Sequence, residues 1–448
     1  MTADQELSIK WEWESAGSVK APEHRATWAR IEIQAGSDCV TLVEDKESGS
    51  SRRSVYCPLY PMAEWIAYNW WFLQADTRPA GWLLQDYGPV SRIARSLPVA
   101  LRARHSIRAS GDGFAWPDLL IVPDGDQTRL VWENDQSYGS NLPIRFLTSG
   151  DCRVSSERVR HELELLVSEV LTRLSEQGVT GTTLEEEWSA VQQADPEEAE
   201  YCRAAARLGL DPYSDAAPYE AEIMQASESL NGELLTDFLD AVDPDNIQSA
   251  LAWISSQRSL IEEPEVPEAT FAADSGVVRE LRAHVRRNVT QAVQPWHVGY
   301  EQARVIRTQV EPDSSSPLDV DRYISRLTRP GADRGLQAMG RSGGQKDPLV
   351  VVGRERPRAA TRFTLARALW HCIWDDDPLF VVTSAHTSRQ RAERAFAAEM
   401  LAPAEGIATL LESKPGVASE EELDQIAAHF DVSPMVVSLQ VRNHLLAA

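Results

Sequence analysis

The chain is short of several things that would have assigned it to a large class. No apolar run approaches the roughly 20 residues that a membrane-crossing helix requires. The opening Met1-Thr2-Ala3-Asp4-Gln5-Glu6 is polar and acidic, without the basic-then-apolar pattern of an export signal. Cysteines number only five (Cys39, Cys57, Cys152, Cys202 and Cys372), widely scattered and never in Cys-x-x-Cys spacing. That excludes a disulfide framework or a zinc ribbon and reads as buried, reduced thiols. Residues 151–275 contain no lysine. These absences predict a cytoplasmic protein with no membrane association.

The chain has 448 residues, 43% hydrophobic and 25% charged, long enough for two or three globular domains. Its net charge of −24 is concentrated in one place. Residues 151–275 carry 28 Asp plus Glu against 7 Arg, a net of −21, whereas residues 276–448 balance 22 Lys plus Arg against 21 Asp plus Glu. Binding to nucleic acid through its phosphates needs clustered Lys and Arg, so direct nucleic-acid binding is not expected. A solvated acidic helical surface accounts for the excess, and a protein partner of opposite charge is the sharper alternative.

Patterning predicts an α+β chain in three parts. Residues 1–150 form a strand-rich domain, 151–275 an acidic helical domain and linker, and 276–448 a mostly helical domain with a small sheet. In the first part, Ile9–Trp13, Ala26–Ile33 and Cys39–Val43 alternate polar and apolar residues, as half-buried strands do. The stretch 61–73 predicts one helix opened by Pro61, its Trp65, Trp70, Trp71 and Phe72 forming core. His105 reads as a strand residue. A hairpin follows, Asp118–Val122 and Arg129–Glu133 around Pro123-Asp124-Gly125-Asp126.

In the second part, helices are predicted over Val159–Leu174, Glu185–Gln192, Glu197–Leu208 and Leu235–Trp253. The proline-spaced Glu262–Thr270 is the linker. Beyond it, Val277–Val289 is a basic amphipathic helix. In the run Asp375-Asp376-Asp377-Pro378, carboxylates oppose the helix dipole and proline forbids continuation, so a loop begins there.

Arg362-Phe363-Thr364-Leu365-Ala366-Arg367-Ala368-Leu369-Trp370-His371 says most about function. Arg367 and His371, four apart, project from one side of a helix. That is the geometry of His-Glu-x-x-His, where two imidazoles bind zinc and the glutamate is the general base. With Gly299–Arg307, Leu349–Val352, Glu393–Pro403 and Ile426–Pro434 in the same order, residues 297–448 resemble the ImmA/IrrE (DUF955) family of metallopeptidase-like proteins.

The resemblance implies a zincin-like fold and cleavage or binding of DNA-binding regulators in bacterial stress response, mobile-element control or phage defence. It also places the family's first His on Arg367, its base on Ala368, its second His on His371 and its acidic third ligand on Gln390. One imidazole and one amide fall short of the three protein ligands of a catalytic zinc, and Ala368 cannot take a proton. The expectation is therefore an inactive pseudo-metallopeptidase without cofactor, whose cleft, lined by Arg367, His371, Gln390 and Glu393, serves protein recognition. Two alternatives remain open. A displaced zinc site would use His371, His386 and Glu393. The hairpin's Asp118, Glu133 and Asp135 loosely resemble the Pro-Asp…(Asp/Glu)-x-Lys carboxylates of metal-dependent nucleases, though Asp135 stands where the lysine belongs.

Overall fold

The computed structural model describes residues 6–17, 19–83, 97–135, 143–263, 269–270, 274–285, 295–342, 347–412 and 415–445. The chain is α+β and divides into two compact units, 1–220 and 221–448. The acidic stretch 151–275 is thus shared between them, and most of its linker, 264–268, lies outside the described residues. Among the described residues, no helix is long and apolar enough to cross a membrane. All five cysteines are buried and free.

The first unit is built on three small antiparallel sheets. Strand β1 (Leu7–Trp13) pairs with β2 (Trp28–Ala35), which also pairs with β3 (Asp38–Cys39) and β6 (Val55–Pro58). A second sheet joins β4 (Val43–Asp45), β5 (Ser51–Arg52) and β9 (Ile144–Phe146). The third has the order β10-β8-β7 (Gly150–Ser155, Gln127–Glu133, Asp118–Asp124). Strand β2 alternates as its sequence predicts, burying Ala29, Ile31, Ile33 and Ala35. The hairpin turns at Gly125, whose φ of 73° a side chain would resist.

The helices of this unit are α1 (Pro22–Ala26), α2 (Tyr60–Tyr68), α3 (Trp70–Ala75), α4 (Pro79–Trp82), α5 (Val99–His105), α6 (Ser156–Glu176), α7 (Thr183–Gln193) and α8 (Pro196–Arg207). On α6, Glu162 accepts a hydrogen bond from the Ile9 amide at 3.0 Å, covering the open edge of β1. An edge so covered cannot recruit another strand. Trp65, Trp70, Trp71 and Phe72 are core, as predicted, with Trp70 edge-on to Trp188 at 4.9 Å.

Three predictions for this unit need correcting. The strand over 39–43 does not form: β3 ends at Cys39 and β4 begins at Val43, the Thr41 hydroxyl between them accepting from the Ile33 amide and donating to the Arg53 carbonyl. The single helix over 61–73 is two, broken at Asn69, whose side-chain amide donates to the Trp65 carbonyl at 2.8 Å. Asparagine competes in this way with the helix's own hydrogen bonds. His105 is the last residue of α5, not of a strand: Pro98 fixes the backbone that starts this helix. Its fully buried ring bonds the Ile121 carbonyl through Nδ1 at 2.8 Å and Asp76 through Nε2 at 3.2 Å.

The second unit contains α9 (Glu220–Ser229), α10 (Gly232–Leu239), α11 (Ile247–Glu262), α12 (Ser275–Val285), α13 (Pro295–Val310), α14 (Arg358–Trp374), α15 (Ser388–Leu401), α16 (Ala404–Leu410), α17 (Glu420–Phe430) and α18 (Pro434–Gln440). Its sheet runs β11-β13-β12-β14 (Ser325–Thr328, Leu349–Val352, Leu336–Arg341, Leu379–Thr383), with β11 and β13 parallel and the other pairs antiparallel. Leu349-Val350-Val351-Val352 is buried at every position, as befits a central strand covered on both faces.

The predicted helix over 235–253 is α10 and α11, separated by a short turn at Pro244–Asn246. Proline lacks the amide a continuous helix needs, and Asp243 caps the turn by accepting from the Asp245 amide at 3.2 Å. The basic helix is α12, ending at Val285, with 286–289 outside the described residues. Its Arg282 donates to the Cys372 carbonyl at 3.1 Å.

Helix α14 is held between the sheet and α15, and α15 packs along α13. At Gly299 the two helices approach so closely that a Cβ would collide with the Ala392 carbonyl oxygen. Arg362 at the start of α14 donates to the carbonyls of Phe430 (3.1 Å), Asp431 (3.0 Å) and Leu318 (2.6 Å). Glu399 on α15 accepts from Arg304 (2.9 Å), Gln440 (2.8 Å) and the Ala404 amide (3.2 Å). The segments 299–307, 349–352, 393–403 and 426–434 are therefore tied into one body around α14 and α15.

Candidate functional site

Helices α14 and α15 present their polar residues to each other inside the second unit. Arg367 lies one turn before His371 on α14, and Glu393 faces both from α15. The Arg367 guanidinium donates to Glu393 Oε1 through Nε at 3.0 Å and again through Nη2. It also reaches the Thr383 carbonyl on β14 at 2.6 Å and Gln337 Oε1 on β12 at 2.9 Å. Four bonds in fixed directions are what a planar guanidinium supplies and a metal ion does not.

His371 stands between two carboxylates. Its Nε2 is 2.5 Å from Glu393 Oε2 and its Nδ1 is 2.6 Å from Asp375 Oδ2, while the Phe380 ring stacks on it at 4.7 Å. Asp375 also accepts from Arg389 Nη2 at 2.5 Å. Arg389 Nε donates to Asp237 Oδ2 at 3.1 Å, and Gln390 Nε2 donates to Asp237 Oδ1 at 2.5 Å. Thr387 completes Gln390 by donating to its amide oxygen. The network thus runs Gln337–Arg367–Glu393–His371–Asp375–Arg389–Asp237–Gln390.

Arg367 is 2% exposed, His371 and Glu393 0%, and Gln390 1%. The open cleft expected from these four side chains is therefore a closed ion-pair network. Burial alone would neutralise His371, Glu393 and Asp375, but each of these three is held charged by its neighbours. Against burial, Asp375 and Glu393 lift His371 to about 9. Against the same penalty, Arg367 and His371 bring Glu393 down to about 2. Asp375 is lowered by His371 and Arg389, again against burial. Asp237 goes the other way: burial raises it to about 7, although Arg389 and His371 pull it down.

These groups do not suit zinc. An imidazole coordinates metal through a bare ring nitrogen, and both nitrogens of a cationic His371 carry protons that point at carboxylates. Arg367, one turn before His371, presents a cation and not a ligand, and the Ala368 methyl carries no base. His386 does not join the set: it is exposed on the turn before α15, its Nδ1 3.4 Å from the cationic Arg394. Among the described residues, no group of three or more His, Cys, Asp or Glu is arranged to hold a metal.

The alternative carboxylates of the first unit are held in the same manner. Asp118 accepts from Ser106 Oγ at 2.8 Å and Arg102 Nη2 at 2.9 Å. Asp135 accepts from Arg108 Nη2 at 2.6 Å and the Phe146 amide at 3.0 Å. Glu133, buried, sits opposite Asp118 in the β7–β8 ladder. Each aspartate thus has its own guanidinium, where a magnesium site keeps its carboxylates for the ion.

Four members of the network escape the sequence reading: Gln337, which lies on β12 outside any motif, and Asp375, Arg389 and Asp237. Asp375 was legible in principle, because it lies four residues after His371, the spacing at which helical side chains meet. Arg389 adjoins Gln390 but belongs to no motif. Asp237 has no local signal, since it lies more than 130 residues before its partners. No family model matches this chain, and none of the curated proteins matches it.

Proposed function

We propose that residues 276–448 form a non-catalytic relative of the ImmA/IrrE metallopeptidases, and that the protein acts by binding another protein in bacterial stress response, mobile-element control or phage defence. A DNA-binding regulator is the partner class this resemblance suggests. The observation that carries the proposal is the buried Arg367–Glu393–His371 arrangement. A dication is replaced by two single positive charges, a guanidinium and an imidazolium, which satisfy the acid left on α15. Such a replacement keeps the helices in register without water activation, because no ligand set and no base remain. A pocket that had merely lost its ligands would leave buried carboxylates unpaired, at a cost of several kcal/mol.

The test is metal content together with proteolysis, on untagged protein incubated with zinc and then desalted. The proposal requires sub-stoichiometric zinc and no cleavage of casein or of a panel of purified helix-turn-helix regulators. Near-stoichiometric zinc that disappears in His371→Ala would overturn it and restore the alternative of shifted ligands.

A further inference from the structure

The network contains one member, Asp237, that comes from outside residues 297–448. Asp237 comes from α10, an eight-residue helix bearing Leu234, Asp237, Phe238 and Leu239 on its buried face. A helix this short does not persist by itself in water, so α10 is helical because it is docked. Its start is weakly specified: Asn231 makes no side-chain cap, and Gly232 sits at φ 54°. It lies against β14, and its carboxylate is read by the consecutive residues Arg389 and Gln390 at 3.1 and 2.5 Å.

Charge accounting separates this helix from the rest. Without Asp237, the buried cations Arg367 and His371 and the half-buried Arg389 face the buried carboxylates Glu393 and Asp375. Three positive groups then oppose two negative ones, leaving one positive charge and two directed donors beside β14. A carboxylate is the complement of that site. With Asp237 in place, Arg389 is shared among Asp237, Asp375 and the exposed Glu233, the last at 3.8 Å. Asp237 is also the one carboxylate of the network whose ionisation burial penalises more than its partners repay. Removing it would leave Gln390 without its acceptor and Arg389 with Asp375 as its remaining buried carboxylate, so another carboxylate must take its place.

We infer that α10 is the internal occupant of a protein-binding site formed by β14 and the first turn of α15, and that a partner's acidic amphipathic helix displaces it. The partner helix presents an Asp or Glu to Arg389 and Gln390, with Leu or Phe one turn before and one residue after it, as Leu234, Asp237 and Phe238 do. This deepens the recognition reading by naming the chemistry recognised. It does not depend on metal content, so zinc binding would overturn the earlier proposal and leave this one to its own measurement.

The experiment uses the full chain and a fluorescent peptide of residues 230–242, with a second peptide carrying Asp237→Lys. Leu234→Ala/Phe238→Ala loosens α10 in the protein. The double variant is expected to bind the first peptide at least tenfold more tightly than wild type, and to bind the lysine peptide no better than wild type does. Equal binding by the two proteins, or equal binding of the two peptides, would overturn the inference. Hydrogen exchange of the unmodified protein gives an answer that does not require a folded variant. The amides of 234–239 are expected to exchange at least tenfold faster than those of 365–372. Exchange of both segments at one rate would show α10 to be fixed structure and would likewise sink the inference.

Discussion

Replacing Arg367 by methionine probes the centre of the second unit with little change of volume. The substitution removes a guanidinium bonded to Glu393, Gln337 and the Thr383 carbonyl, all inside the protein. Glu393 keeps His371, but one of its oxygens loses its donor, and Gln337 loses its cationic partner. Removing one side of a buried ion pair costs about 3–5 kcal/mol, because the other side stays desolvated. For a unit of this size each kcal/mol lowers the melting temperature by about 2–4 °C, so the fall is roughly 6–20 °C. Urea and thermal unfolding followed by tryptophan fluorescence and circular dichroism would measure it. Arg367→Met combined with Glu393→Gln should cost less than the two single changes together, by about 0.5–3 kcal/mol. If Arg367→Met melts within about 1 kcal/mol of wild type, as a solvent-screened pair would allow, the pair is not what holds α14 to α15.

The remaining predictions concern charge, chemistry and packing. His371 has a folded value near 9, above the ~6.5 of free imidazole. Its contribution is therefore complete below pH ~6.5 and disappears as pH rises through 9; wild type should lose stability between pH 7 and 10 where His371→Gln shows a flatter profile. Glu393, lowered to about 2, contributes above pH ~4.3 and loses that contribution as pH falls through 2, so mild acid at pH 4 should leave its pairing with Arg367 and His371 in place. Arg367→His with Ala368→Glu should not create a peptidase: residue 368 is fully buried and Gln390 supplies no acid, and efficient cleavage of a regulator by this double variant would refute the degeneracy. Gly299→Ala should destabilise by about 1–3 kcal/mol through collision with α15, measured by urea unfolding.

The elements legible in sequence were those whose pattern is local. The buried run 349–352, the alternation of β2 and the 118–133 hairpin each carry their own period and turn chemistry. The α14 helix declared both its register and the pairing of Arg367 with His371 on one side. Breaks were harder: one helix stops before Asn69 and another at Leu239, ahead of the Pro244 turn, inside runs whose apolar spacing continues past them. In the candidate site, positions 367, 368, 371 and 390 followed from motif spacing, but the identity of what fills the gap did not. Glu393 turning to Arg367, and Asp237 arriving from the acidic segment, are long-range contacts that only the packed unit specifies.

Arg362 also sets a temporal order on synthesis. Its guanidinium is buried against carbonyl oxygens of Leu318, Phe430 and Asp431, two of them about seventy residues downstream. While the ribosome is still making Phe430 and Asp431, only the upstream Leu318 carbonyl is available to it. The start of α14 therefore cannot seal before residue 431 has been translated and released from the exit tunnel. Until then this corner of the second unit lacks two of the three acceptors that bury the guanidinium.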